Sequence, residues 1–266
     1  MFLKNRVVGI SVLILIIIGG ISLVVNSAVT LEESASKKEI DDLSFTNIAV
    51  LTDNATVEIV STKDPVATVE YTGKMKKKTK YTFEADVKGD TLSVHFKEKR
   101  KGFFHFGISA MNLTLTVSLP EKEYDRLQVE TNNGRIVAQH IQAKDVALET
   151  DNGRLELKHV DAKSIHVKTD NGRILFEDVK GKINAKTDNG RIALIASNLD
   201  QSIELETDNG RIDIQTEKEP TNATIDAKTD NGRVELFGQE NKHVTFGKGE
   251  NLIKLRTDNG RITVTK

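Results

Sequence analysis

The chain has 266 residues, with 38 basic and 39 acidic side chains, a formal net charge of −1 and no cysteine. This charge balance gives no overall attraction to nucleic acid, so a nucleic-acid partner is not expected. The lack of cysteine excludes a disulfide framework and anchoring through a lipid-modified cysteine.

The first predicted element is a membrane anchor. Lys4 and Arg6 precede an uncharged, largely apolar stretch, residues 7–25, which is long enough to cross a bilayer as a helix. A cleavable signal peptide is the alternative, but Asn26-Ser27-Ala28 is a poor cleavage site. We therefore predict an uncleaved anchor with its cytoplasmic tip over residues 1–28.

The orientation of this anchor predicts the location of the rest of the chain. Positive residues stay on the cytoplasmic side, so everything after the anchor is expected outside the cytoplasm. The prediction is a single-pass protein of the cell membrane, in which residues 29–39 form a linker to the C-terminal part.

Residues 40–125 are predicted to be a strand-rich capping region with degenerate repeats. The segment 52–59, Thr-Asp-Asn-Ala-Thr-Val-Glu-Ile, aligns with Thr-Asp-Asn-Gly-Arg-Val-Glu-Leu at 229–236 and indicates a first, degenerate coil. Alternating apolar residues at 91–96 and 113–119 indicate further strands. The aromatic cluster at 103–106, Phe-Phe-His-Phe, is expected to cover one end of the core.

A basic segment lies inside this region. Between residues 74 and 101 there are ten Lys or Arg and four acidic residues. Such a segment could bind an anionic phospholipid or wall polymer, and Lys76, Lys77 and Lys78 are its candidate binding residues. The alternative is a solvated hairpin whose lysines protect an exposed strand edge.

Repetition dominates residues 126–266. The motif Thr-Asp-Asn-Gly-Arg occurs six times, after a near-copy at 131–135, and its glycines are 18 to 20 residues apart for four intervals, then 22, then 28. Short alternating strands flank each copy, so Asn-Gly is predicted to be a turn with positive φ. The predicted turn residues are Asn133, Gly134, Asn152, Gly153, Asn171, Gly172, Asn189, Gly190, Asn209, Gly210, Asn231, Gly232, Asn259 and Gly260.

Two architectures fit this pattern. In an antiparallel meander each Asn-Gly is a two-residue hairpin turn. In a parallel β-solenoid each repeat is one coil, and equivalent residues stack about 4.8 Å apart. The solenoid is favoured because one corner varies in length while the other never changes. The predicted fold is all-β, a β-helix-like parallel solenoid with one N-terminal transmembrane helix.

Stacking in register would create charged columns. The charge of the residue before each Thr alternates in sign along parts of the chain, as in Glu149 and Lys168. Opposite charges on adjacent strands would stabilise the contact between neighbouring coils. The motif Asp and Arg columns are each of one sign, and we expect them to lie side by side and compensate each other. The arginines are also candidate binding residues, namely Arg154, Arg173, Arg191 and Arg211.

The candidates for chemistry are few. Carboxylates beside arginines stay ionised and make poor general acids, so no enzymatic activity and no cofactor are expected. Five residues after the arginine, three successive repeats carry His140, His159 and Asp178, a column that one metal ion could bridge if the coils are in register. We predict no metal ion at this column, because surface histidines are common and its register lies at the start of a loop. Calcium along the Asp column is not expected either, since the arginines would already compensate its charge and the glycine-rich calcium repeat of toxins is absent.

The anchor, the strand Leu115-Thr116-Val117-Ser118-Leu119-Pro120 and the run of Thr-Asp-Asn-Gly-Arg copies together resemble the putative adhesin family of β-strand-repeat proteins. That family includes LiaG-like membrane-anchored proteins associated with bacterial envelope stress. The resemblance covers residues 40–266 and implies a parallel β-helix-like fold, an extracytoplasmic setting and no known enzymatic activity.

We therefore expect a membrane-anchored β-solenoid that binds an anionic polymer or another protein at the bacterial cell envelope. The alternative is a regulatory or structural accessory of an envelope-stress system that acts through a membrane protein partner.

Overall fold

The computed structural model describes residues 12–13, 31–76, 80–99 and 112–266, and over these residues the chain is all-β, without a helix. Eight strands precede the repeats: β1 Val12–Leu13, β2 Leu31–Ile40, β3 Asn47–Thr52, β4 Thr56–Thr62, β5 Ala67–Lys76, β6 Lys80–Lys88, β7 Thr91–Lys99 and β8 Asn112–Pro120. Eight more follow: β9 Glu123–Gln139, β10 Gln142–Lys158, β11 Asp161–Glu177, β12 Lys180–Ala196, β13 Ile203–Thr216, β14 Ala223–Leu236, β15 His243–Phe246 and β16 Asn251–Thr265.

The repeats stack in parallel. From β9 to β13 each repeat strand pairs with the next so that like residues meet: Thr150 lies against Thr169, Gly153 against Gly172 and Arg154 against Arg173. This register confirms the β-solenoid. The hairpin meander is wrong, because Asn-Gly lies inside one continuous strand and not between two antiparallel ones.

Each coil is a strand bent back on itself. β10 ends at Lys158 and β11 begins three residues later at Asp161, beside the start of β10. Three residues span at most about 10 Å, whereas 17 extended residues would span more than about 50 Å. The strand must therefore fold over, and its two arms, before and after Thr-Asp-Asn-Gly-Arg, enclose the core.

Alternation decides which side chains form that core. Val146 and Leu148 from the first arm and Leu155 and Leu157 from the second are at most 1% exposed. Burying an aliphatic side chain of this size contributes about 1.5–3 kcal/mol, and every coil repeats the contribution. The apolar core thus runs the length of the stack.

The motif glycines serve close approach, not a left-handed turn. No Asn or Gly of the motif has a positive φ, which corrects the predicted turn geometry. A Cβ on Gly153 would lie 1.7 Å from the carbonyl oxygen of Gly134 in the preceding coil. Only glycine fits there, because the backbones of adjacent coils approach too closely at the bend for a side chain.

Left-handed residues occur at the opposite corner. His140, His159, Asp178 and Phe237 have φ between 50° and 55°, just after the second arm of their coils. His and Asp adopt this conformation more readily than most residues. The positions that suggested a metal column are thus the tight turns between coils.

The last repeat is out of chain order. β16 lies between β13 and β14 and pairs in parallel with both. The 28-residue interval before Gly260 is long enough to contain β15 and to bring the chain back beside β13. β15 pairs antiparallel with residues 223–226 of β14. β14 is therefore the last coil of the stack.

The other end carries the capping region. β3 and β4 flank residues 53–55 and stack on β9, with Thr52 beside Thr131. β7 and β8 lie below β3 and β4, and β2, β5 and β6 continue this end antiparallel. β2 falls within the stretch for which the sequence predicted mainly a linker.

Several sequence predictions fall outside the described residues: the Phe-Phe-His-Phe cluster at 103–106, Lys77, Lys78 and the anchor, apart from Val12–Leu13, which pairs with Lys37 and Lys38. In the part of the chain that the structure describes, no helix has the length and apolar character needed to span a bilayer.

Candidate binding face at the bend

An asparagine ladder holds the bend of the coils together. The Nδ2 atom of each motif Asn donates a hydrogen bond to Oδ1 of the Asn in the coil below, at 2.9–3.1 Å. From bottom to top the ladder contains Asn54, Asn133, Asn152, Asn171, Asn189, Asn209, Asn259 and Asn231. The motif asparagines are thus bound to each other and present a rigid, regular edge.

Beside the ladder lies an open groove of about 600 Å³. Its floor is the glycine column, where no Cβ projects, and its wall is the arginine column. The lining residues are Arg135, Gly153, Arg154, Gly172, Arg173, Gly190 and Arg191. The predicted binding residues Arg154, Arg173 and Arg191 therefore share one surface.

Some of these arginines are engaged by acidic residues on the next coil. Arg135 donates from Nε and Nη2 to Glu156 at 3.0 and 2.5 Å, and Nη1 of Arg154 lies 3.5 Å from the same carboxylate. Nε of Arg191 lies 2.6 Å from Asp213. Glu156 and Asp213 each occur two residues after a motif arginine, a signal that the sequence contained and our prediction missed.

Glu156 is the one buried charge in this surface, with 5% of its side chain exposed. Burial by itself raises the pKa of its carboxyl. The hydrogen bond from Arg135 and the positive charges of Arg135, Arg154 and Lys158 outweigh burial and hold the pKa below its usual range. The carboxylate is therefore ionised and acts as a fixed anchor for two arginines.

Three motif arginines have no such partner. Arg173, Arg211 and Arg261 form no ion pair within 4.0 Å with any carboxylate of the described residues, and all three are exposed. Arg211 and Arg261 lie on adjacent strands, about 4.8 Å apart along the stack. Their guanidinium groups are free to bind an anion.

The motif aspartates do not compensate the arginines. No motif Asp lies within 4.0 Å of a motif Arg, so the expected pairing of the two columns is wrong. Two of the aspartates lie near the Lys two positions earlier, as for Lys168 and Asp170 at 3.7 Å. The expected contacts before Thr do form, with 3.4 Å between Lys168 and Glu149 and 2.6 Å between Lys186 and Glu206.

The His column is in register. The rings of His140 and His159 stack with centroids 4.9 Å apart, and Nδ1 of His159 lies 3.7 Å from Asp178. Both histidines line a cavity of about 580 Å³ with Lys63 and Lys122. Within the described residues, no three His, Asp or Glu side chains are grouped so that they could hold a metal ion.

The basic segment is described only in part. β5 ends at Lys76, and Lys77 and Lys78 lie outside the described residues.

Arg211 continues the arginine column past the groove, next to Arg191.

Comparisons with known proteins agree with this architecture. The profile of the Toastrack DUF4097 family matches twice, over residues 45–182 and 136–265. No curated protein matches the sequence at a significant level.

Solved structures also resemble the chain. A putative cell adhesion protein from Clostridium sporogenes is 12% identical with a TM-score of 0.43, and the match covers 88% of this chain and 99% of that one. A putative adhesin from Bacteroides fragilis is 12% identical with a TM-score of 0.43, covering 87% and 97%.

The family profile covers both the capping region and the repeats, and the resemblance to the putative adhesin family of strand-repeat proteins is confirmed at the level of the family. The chain belongs to the Toastrack DUF4097 family.

Proposed function

We propose that this protein is a non-enzymatic binding protein of the bacterial cell envelope, held in the membrane by residues 7–25 with its β-solenoid outside the cytoplasm. Its ligand is an extended anionic polymer that lies along the arginine and glycine columns. The observation that carries this proposal is the set of guanidinium groups at Arg173, Arg211 and Arg261 that form no ion pair with any carboxylate of the described residues. Arg173 lines the groove, and Arg211 and Arg261 continue its arginine column.

The chemistry of the groove favours a repeating anion. A guanidinium offers a planar fork of donors that matches phosphate and carboxylate oxygens. Because the arginines repeat with the coils, a linear polymer meets equivalent donors along its length.

The acidic residues favour a binding role over catalysis. Acid-base catalysis by carboxyl groups needs two of them in contrasting environments at a working distance. Here the carboxylates of Glu156, Asp213 and Glu206 are each engaged by an arginine or lysine of a neighbouring coil. Glu156, with its lowered pKa, is suited to holding arginines and not to donating a proton.

Lys76, Lys77 and Lys78 form the second proposed contact. Lys76 is the last residue of β5, in the antiparallel layer at the capping end, and Lys77 and Lys78 come next in the sequence. Lysines close to the anchor would add non-specific attraction to anionic lipid or wall polymer.

The test is co-sedimentation of the full-length protein, in detergent, with isolated wall material at low and high salt. The variant Arg173→Gln/Arg211→Gln/Arg261→Gln should lose binding at least about tenfold, and wild-type binding should weaken as salt rises. The matched control, Arg126→Gln/Lys182→Gln/Lys254→Gln, removes three charges that form no ion pair in the described structure, from positions outside the groove, and should bind like the wild type.

Undiminished binding of the Arg173→Gln/Arg211→Gln/Arg261→Gln variant would contradict the polymer proposal. Recovery of one membrane protein in place of wall polymer would favour the alternative, a regulatory accessory of an envelope-stress system. A Lys76→Gln/Lys77→Gln/Lys78→Gln variant separates the two contacts, because it leaves the groove intact.

A further inference from the structure

The outer edge of β14 is only partly covered. β15 pairs with residues 223–226, and the next N–H, that of Ala227, donates to Lys242 O at 2.8 Å. At the other arm the N–H of Leu236 donates to Gln239 O at 2.9 Å. Between these two contacts, the outer edge of residues 228–235 pairs with no strand of the described structure, while their inner edge pairs with β16. We call these eight residues the open window.

The open window contains a complete repeat motif that lacks its next coil. Gly232 is exposed, whereas the other motif glycines are partly covered. Thr229 is 7% exposed, while the other Thr residues of its column are 3% or less. Among the described residues none donates to Oδ1 of Asn231, although every lower Asn oxygen of the ladder accepts a hydrogen bond.

The interfaces below the window define what would fit on it. In each, the added coil supplies an Asn whose Nδ2 donates to the ladder. It also supplies a Gly, because a Cβ there would come within 1.5–2.1 Å of the carbonyl oxygen at the equivalent position of the adjoining coil. A strand for the window therefore needs Asn followed by Gly, in parallel orientation.

The charges at the window extend this requirement. Lys186 lies 2.6 Å from Glu206, which precedes Thr in the coil above, so Lys228 calls for an acid at that position. At two interfaces the arginine of the lower coil binds an acid two residues after the arginine of the upper coil, Arg135 with Glu156 and Arg191 with Asp213. At the window Nε of Arg233 lies 3.5 Å from the exposed Glu240, and an acid at the equivalent position of a bound strand would take the place of Glu240. The matching strand is Glu-Thr-Asp-Asn-Gly-Arg, one apolar residue, then Glu or Asp.

The length of the window limits the occupant. β15 on one side and the turn at 237–242 on the other occupy the layer in which the next coil would lie. A second copy would bring its whole 14-residue β14 and its own β15 into that layer and collide with them. What fits is a short segment that follows the bend of β14 at Thr-Asp-Asn-Gly-Arg.

We propose that the open window binds a short segment of a partner protein that carries Glu-Thr-Asp-Asn-Gly-Arg-x-Glu or its Asp counterpart, bent like the coils below and added as one more parallel strand. Main-chain hydrogen bonds provide affinity in such strand addition, and the Asn, the Gly and the two acids provide specificity. This proposal is independent of the arginine groove, since it uses the edge of β14 and not the column face.

The test uses full-length protein in detergent and a fluorescent peptide that copies residues 148–157, Leu-Glu-Thr-Asp-Asn-Gly-Arg-Leu-Glu-Leu. Fluorescence anisotropy should show saturable binding, at least about tenfold weaker for the peptide with Gly→Ala. Asn231→Ala should weaken binding about fivefold through one lost hydrogen bond. The matched control is Asn241→Ala, which lies outside the window and should bind like the wild type.

A charge exchange completes the experiment. Lys228→Glu should weaken binding of this peptide, and a peptide with Lys in place of the first Glu should restore it. Circular dichroism checks that each variant folds. No binding to the wild type, equal binding of the Gly and Ala peptides, or failure of the exchange would overturn the proposal and leave residues 228–235 as a charged, protected strand edge.

Discussion

At the scale of single residues, the motif glycines and Glu156 show that the structural role of a residue is set by its neighbours in the adjacent coils. Asn-Gly in isolation is the strongest short hairpin signal, yet here it forms no hairpin. The glycines are required by the backbone of the neighbouring coil, and the asparagines by each other. Both causes depend on residues about 19 positions away.

Gly172→Ala should destabilise the protein by more than about 3 kcal/mol, because the new Cβ would lie 1.7 Å from the carbonyl oxygen of Gly153 and neither backbone can retreat. The control is Gly238→Ala, where φ is +77° but no atom lies within 4 Å, and where we expect about 1 kcal/mol of strain. Chemical denaturation measures both. Equal costs would contradict the close-approach explanation.

Glu156→Gln should lower stability by about 1–2 kcal/mol at neutral pH, because Arg135 and Arg154 lose their shared carboxylate. The folded pKa of Glu156 lies below its ordinary value of 4.5, so its stabilisation is present above that pH and is lost as the pH falls through the folded pKa.

Denaturation of wild type and Glu156→Gln as a function of pH should therefore show two curves that converge in acid. Glu177→Gln, which removes a partly exposed partner of Lys158, is the control and should cost less than about 1 kcal/mol. A gap between the wild-type and Glu156→Gln curves that stays constant below pH 4.5 would contradict this role.

At the scale of the strand, each repeat is one coil that buries its core only against its neighbours. The position of β16 gives this rule an unexpected consequence. Because β16 lies between β13 and β14, the end of the chain connects the terminal coil to the rest of the stack. Removing the last repeat of the sequence therefore removes an internal coil of the stack and not a terminal one.

Deletion of residues 251–266 should release β14 and β15, since β14 loses its parallel partner, while β9 to β12 stay folded. Hydrogen exchange should become fast over residues 223–246 and remain slow over 142–196. The control is deletion of residues 265–266 alone. Retained protection of β14 in the longer deletion would indicate that the repeats stack in chain order.

At the scale of the whole molecule, the two ends of the stack differ. The capping end is continued by antiparallel strands and receives the chain from the predicted anchor, whereas the β14 end retains an open window. The strands from β9 to β14 make six steps, or about 29 Å. The proposed orientation places the window at the end away from the membrane.

The chain contains no cysteine, so single cysteines can report this orientation. Lys248→Cys, at an exposed turn near the β14 end, should react with a membrane-impermeant maleimide on intact cells. Asn5→Cys, before the anchor stretch, should react only after the cells are permeabilised. Labelling of both cysteines, or of neither, on intact cells would contradict the single-pass topology.

The sequence by itself determined the all-β class, the parallel stacking and the surface on which the arginines lie. A constant motif at a regular spacing can satisfy its buried face only by stacking on copies of itself. Only the tertiary structure shows why the motif glycines are required and that Arg135 pairs with Glu156. It alone also shows that β16 is inserted between β13 and β14 and that β14 has an open window. These features depend on contacts between coils, and a periodic sequence is compatible with more than one order of stacking. In this structure residues 237–250 carry the chain from β14 to β16, which lies between β13 and β14.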